Sequence, residues 1–161
     1  MQPSRPNCCR TVSEILLRVR ALRLILCFSI LSTAAHYTHN FIRADDYPGS
    51  GPAVQLAIVL SWPLLTAIGL YGYRLYAAGR FREAHVCLLL YAPLGLLTPA
   101  HFLYGEPDIP TFFYITIFTD GLAGMGIVGF VIWSATRRRE WMTRTAYSDR
   151  PTASRASRVS K

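Results

Sequence analysis

The sequence predicts an all-α membrane protein: four transmembrane helices in a compact bundle, with both termini cytoplasmic. Three observations carry this. Of the 161 residues, 52% are hydrophobic, and they are gathered into runs rather than scattered. Four runs reach the length of about 20 mainly apolar residues that crosses a hydrocarbon core. Arginines crowd the segments before the first run, between the second and third, and after the fourth, the charge asymmetry of a chain threaded through a bilayer.

The first run, 22–42, follows Arg5, Arg10, Arg18 and Arg20 and has Arg23 at its very start, so residues 1–21 read as a cytoplasmic N-terminal segment. The same arginines ahead of Ser32-Thr33-Ala34-Ala35 also match a secretory signal cleaved after Ala35. The apolar run continues through Tyr37, Phe41 and Ile42 to full spanning length, which favours an uncleaved helix. The second run is 53–76, where Pro63 predicts a kinked or locally opened helix. Arg74, Arg80 and Arg82 separate it from the third, 84–104, where Pro93 and Pro99 predict a kinked or locally opened helix. The fourth, 111–134, carries Gly121, Gly124, Gly126 and Gly129, which let neighbouring backbones approach. From Arg137 the composition turns to Arg, Ser, Thr and Ala, predicting a basic, disordered cytoplasmic tail over 137–161 anchored by Arg137-Arg138-Arg139 beside Trp133 and Trp141.

The two remaining connections hold Asp45, Asp46, Glu106 and Asp108 with Arg43 as their basic residue, and so belong outside. The formal net charge of +8 is then a topology signal with attraction to lipid headgroups, and nucleic acid is not an expected partner. Lys161 is the single lysine, a bias toward arginine that points to a GC-rich bacterial genome and hence to a bacterial inner membrane. The expected partners are the bilayer and, because the chain is small, a second copy or a larger membrane protein. Cys8 and Cys9 fall on the reducing side. Cys27 and Cys87 read as small buried residues, and no structural disulfide is expected.

The chemistry lies in ionisable residues inside the spans, which are costly there and usually functional. Ser29, Ser32, Thr33, His36, His39, Asn40 and Arg43 recur at helical spacing and make one polar stripe on the first span, expected to face the bundle. His36 and His39 fall in the outer leaflet, His101 at or just inside the outer boundary, and Asp120 nearer the midplane. Thr33-Ala34-Ala35-His36-Tyr37 resembles Thr98-Pro99-Ala100-His101-Phe102, each before an acidic outer loop. A duplicated helical hairpin would set His36 opposite His101 at similar depth.

Three imidazoles near carboxylates suit zinc, copper or iron, with His36, His39, His101, Asp120 and Glu106 as candidate ligands and Asp108 also near. His36 and His101 on facing helices also suit a bis-imidazole haem b. The competing reading is non-catalytic, with His and Asp only pairing helices in a membrane subunit or accessory protein. His85, beside Arg82 and Glu83, lies at the opposite interface. Phosphate loops, nucleophile elbows and Cys-x-x-Cys pairs do not occur in the sequence, which argues against nucleotide-driven chemistry. Reporter fusions at Gly49 and Pro107 are expected to read as extracytoplasmic, and fusions at Gly79 or after Lys161 as cytoplasmic. A cytoplasmic signal at Gly49 reverses the orientation.

Overall fold

The computed structural model describes residues 8–43, 51–104 and 111–148. Among them every regular element is helical: α1 (Cys8–Ile42), α2 (Pro52–Ala77), α3 (Phe81–Tyr91), the single turn α4 (Pro93–Leu96), a 3-10 stretch (Thr98–Tyr104) and α5 (Thr111–Ser148). The chain divides after Val131 into two units. The first holds the bundle. The second, as far as it is described, is helical through Ser148, so helix persists over 137–148, where composition alone predicts its loss; residues 149–161 lie outside the described residues.

Three helices are long and apolar enough to cross a membrane: Gln55–Ala77, Phe81–Ala100 and Tyr114–Arg137. The length of α1 suffices, but its composition does not reach the same apolarity. Arg18, Arg20 and Arg23 load one end, and Ser29, Ser32, Thr33, His36, His39 and Asn40 dilute the other.

The elements follow from local chemistry. Pro52 opens α2 at a position where its missing N–H costs nothing. The helix closes on Gly79, whose φ of 78° suits a residue without Cβ; Gly79 N–H bonds Tyr76 O at 3.0 Å and Arg80 N–H bonds Leu75 O at 2.9 Å, the paired bonds of a Schellman cap. Pro63 leaves α2 unbroken. The third span is cut at Pro93, whose ring displaces the preceding turn's carbonyl, and after Leu97 it continues as a 3-10 stretch around Pro99. The opening expected at Pro93 and Pro99 thus divides the third span into three pieces, whereas the one expected at Pro63 does not break α2.

Neighbouring helices run antiparallel. Ile25 lies beside Gly126 on α5 while Ser32 meets Thr119. The Tyr91 ring packs on Gly69, and Cys87 and Leu88 pack on Gly72. Gly95 sits on the Asp120 carbonyl, and Gly124 faces Ala92 and Leu96. Of the four α5 glycines, only Gly124 is in tight contact. Gly121 and Gly126 have ordinary neighbours at 3.6 Å, and Gly129 faces open space. Gly69, Gly72 and Gly95 make the other close approaches.

The core gathers Leu22 and Leu26, Leu75 and Tyr76, Ala84, Leu88 and Tyr91, Leu94, and Ile127, Phe130 and Val131. Tyr76 meets Phe81 and Phe130 edge-on, with ring centroids 4.9 and 5.2 Å apart. The surface is the reverse of a water-soluble protein's. Leu24 and Leu31 are 71% and 72% exposed, and Leu64 and Phe118 also point outward, while Ser29, Thr33, His36 and Asp120 are buried. Cys27 lies on this outer surface, not in the interior as its sequence position suggests, because Leu26 and Ser29 already occupy the inward face of that turn.

Adding a methyl at Gly95 drives it into the Asp120 backbone carbonyl, which cannot move aside as a side chain can. Gly95→Ala is expected to destabilise the bundle by about 1–3 kcal/mol, measured by thermal unfolding in detergent. Gly129→Ala, which meets nothing, should match the wild type. Equal behaviour of the two variants would show that the close approach of α4 to α5 is not real.

Candidate functional site

The polar stripe of α1 faces inward as its spacing predicts: Ser29, Thr33, His36 and Asn40 are buried, Ser32 and His39 half-buried, and Arg43 exposed. What it faces is a carboxylate. His36 Nδ1 lies 3.4 Å from Asp120 Oδ2, with the two residues 3% and 0% exposed. That separation is longer than an optimal hydrogen bond, so the contact is mainly electrostatic. The Ser32 hydroxyl donates to Asp120 Oδ1. Having one proton, Ser32 must then accept in its 2.8 Å contact with Thr119 Oγ1, whose own proton also reaches the Thr116 carbonyl at 3.1 Å.

The same layer ties α1 to the other helices. Thr33 donates to the Ser29 carbonyl at 2.8 Å and accepts from the Trp62 indole N–H of α2 at 3.1 Å. Ser29 Oγ and the Tyr91 hydroxyl of α3 are 3.0 Å apart. Beneath Asp120, the Thr98 hydroxyl donates to the Gly95 carbonyl at 2.6 Å and reaches the Ile117 carbonyl at 3.3 Å. The Gly95 carbonyl needs this partner because Pro99, four residues on, has no N–H to offer it. The phenols of Tyr37, which is bonded to Ser61, and of Tyr91 lie within electrostatic range of Asp120.

Burial favours a neutral pair: one proton shared between His36 and Asp120 would leave it so, as imidazolium with carboxylate or as imidazole with carboxylic acid.

The candidate ligands separate. His36 and Asp120 meet through their side chains, while the register of α1 on α5 sets Asp120 opposite Ser32, about a turn deeper than His36. His39 lies one turn further along α1. The backbone of His101 is in the 3-10 stretch, while Glu106 and Asp108 lie outside the described residues. Among the described residues, no three of His, Cys, Asp and Glu come together as a metal ion requires.

The two resembling segments also differ: the first is continuous α-helix and the second is 3-10 around Pro99. Gly95 packs at the level of Asp120, and Phe102 stacks on Tyr114 at 5.9 Å. With Ile25 beside Gly126 and Ser32 beside Thr119, Tyr114 falls opposite Tyr37 on α1, so the stacking of Phe102 on Tyr114 keeps the His101 backbone near the depth of His36. His85, at the other end, lies 6.1 Å from the Tyr76 ring.

Trp62, Tyr91 and Thr119 were not legible as site residues. Thr116, one turn before Asp120, and Thr119, next to it, were the available signal. Comparison with known proteins finds no matching family model, curated protein or solved structure, so geometry alone carries the functional reading.

Asp120→Asn keeps the shape and an acceptor for Ser32, and should unfold within about 1 kcal/mol of the wild type, given ~0.6 kcal/mol for an average hydrogen bond between membrane helices. Asp120→Ala removes both and should cost clearly more. Equal loss in the two variants would mean that the negative charge itself is required.

Proposed function

We propose that the chain is a non-catalytic, four-span protein of a bacterial inner membrane, with both termini cytoplasmic, serving as a small membrane subunit in a homo-oligomer or beside a larger membrane protein. In this reading the His36–Asp120 pair and its hydroxyl layer are a polar lock that fixes how the helices meet in the outer half. The observation that carries it is the closed contact of His36 with Asp120, both buried and with Ser32 donating to the same carboxylate. The groups that would serve chemistry are directed at one another. Lipid is as apolar as leucine and gives helices little reason to prefer one neighbour, so interhelical polar contacts and close packing supply the preference. The same contact supports counting α1 as the fourth span, because over 24–42 its polar face is turned to the other helices and leucines such as Leu24 and Leu31 face outward.

A second reading keeps one observation in its favour. A carboxylate against Nδ1 is the arrangement that orients a ligating imidazole through its other nitrogen. It would make His36 a ligand to haem b with His101, or to zinc, copper or iron with His39, His101, Asp120 or Glu106. Purification in mild detergent, followed by an absorption spectrum and elemental analysis, separates the two readings. The lock predicts no Soret band and no stoichiometric metal. Either signal, abolished by His36→Ala with membrane insertion intact, would replace the lock with a cofactor site.

A further inference from the structure

At 35 residues α1 is about 52 Å long, well beyond a hydrocarbon core of about 30 Å. Its Leu22 packs in the same core as Leu75, Tyr76 and Ala84, which flank the α2–α3 turn. The N-terminal part of α1 therefore runs past the end of the bundle. That part is not simply polar. Leu17 and Leu24 are 63% and 71% exposed, and with Leu31, spaced by seven, they continue the outward apolar stripe of α1 toward its N-terminus. Arg20 and Arg23 are exposed beside that stripe, and Arg74 and Arg82 are exposed where α2 ends and α3 begins. Glu83 is already taken by Arg80, at 3.1 Å.

We propose that this end of the bundle is a binding surface for anionic phospholipid, with Arg20, Arg23, Arg74 and Arg82 holding headgroup phosphates while acyl chains lie along Leu24 and Leu31. The argument for a lipid over a soluble anion is the apolar stripe. A phosphate ion or an acidic protein segment matches the guanidinium groups but leaves the leucines uncovered, whereas a phospholipid covers both. The surface is remote from the His36–Asp120 contact. It rests only on the chain residing in a bilayer, so failure of the lock leaves it standing and its own failure leaves the lock standing.

The test is native mass spectrometry of the full chain in detergent, titrated with phosphatidylglycerol or with phosphatidylcholine. The wild type should retain phosphatidylglycerol about tenfold or more tightly, since each arginine near an anionic surface is worth roughly a fivefold change before screening. The preference should shrink as salt rises. Arg20→Gln, Arg23→Gln, Arg74→Gln and Arg82→Gln together should bring the two lipids to within about twofold, while Arg43→Gln, at the other end of α1, should leave the preference intact. Should the combined variant fail to fold, the wild-type selectivity and its salt dependence still decide. Equal retention of both lipids by the wild type overturns the proposal, as does a preference unchanged in the combined variant. Displacement of the lipid by inorganic phosphate alone would assign the arginines to free anions and equally overturn it.

Discussion

The structure depends on one constraint: a carboxylate has been placed where neither water nor lipid can solvate it. Asp120 is fully buried, and nothing on its own helix neutralises it. Donors must come from a neighbour at the right depth and rotation, and α1 brings two of them one turn apart, Ser32 and His36. Once those are in place the rotation and register of α1 against α5 follow. Ile25 then falls beside Gly126, and Leu22 and Leu26 turn inward toward Ile127 and Phe130. A slip of one turn along α1 would set Phe28 and Ser32 in those places, leaving the carboxylate without an imidazole.

The broken third span answers the same need from the other side. A straight helix past Tyr91 would carry its own hydrogen-bond ladder and its full girth against α5. Pro93 removes the ladder locally, and Gly95 removes the side chain, so the backbone comes down on the Asp120 carbonyl. The Gly95 carbonyl, whose helical donor would be the nitrogen of Pro99, cannot be hydrated there. The Thr98 hydroxyl takes it up and also reaches the Ile117 carbonyl of α5. Proline, glycine and threonine in this short stretch are parts of a single solution.

Much of this was legible from spacing alone, because apolar runs, arginine asymmetry and the three-to-four spacing of Ser29, Ser32, Thr33, His36 and Asn40 are local properties of the chain. That Asp120 and the histidines belong together was legible too, since few polar groups in the spans had any partner to find. The identity of the contacts was not legible. Tyr91, Trp62 and Thr119 look like ordinary residues of apolar helices until another helix is laid against them. The break at Pro93 was legible from the proline itself, yet Pro63 has the same local chemistry and leaves its helix whole. The two five-residue segments are alike in sequence and differ in backbone, because Pro99 turns the second into a 3-10 stretch.

The two ends of the bundle are held by different physics. At the arginine end the contacts are aromatic and aliphatic, with Tyr76 between Phe81 and Phe130 and Leu22, Leu88 and Ile127 fully buried. Such packing depends on shape, because exchanging a leucine neighbour for a lipid chain changes little else. At the other end the contacts are hydroxyl, indole, imidazole and carboxylate, and parting the helices there exposes unsatisfied polar groups to hydrocarbon. The aromatic end therefore tolerates small repacking. The polar end is closer to all-or-none, since withdrawing α1 strands Asp120, Tyr91 and Trp62 together. A larger membrane partner pressing on the lipid-facing side of α1 would thus act on a contact with two distinct states, made or broken.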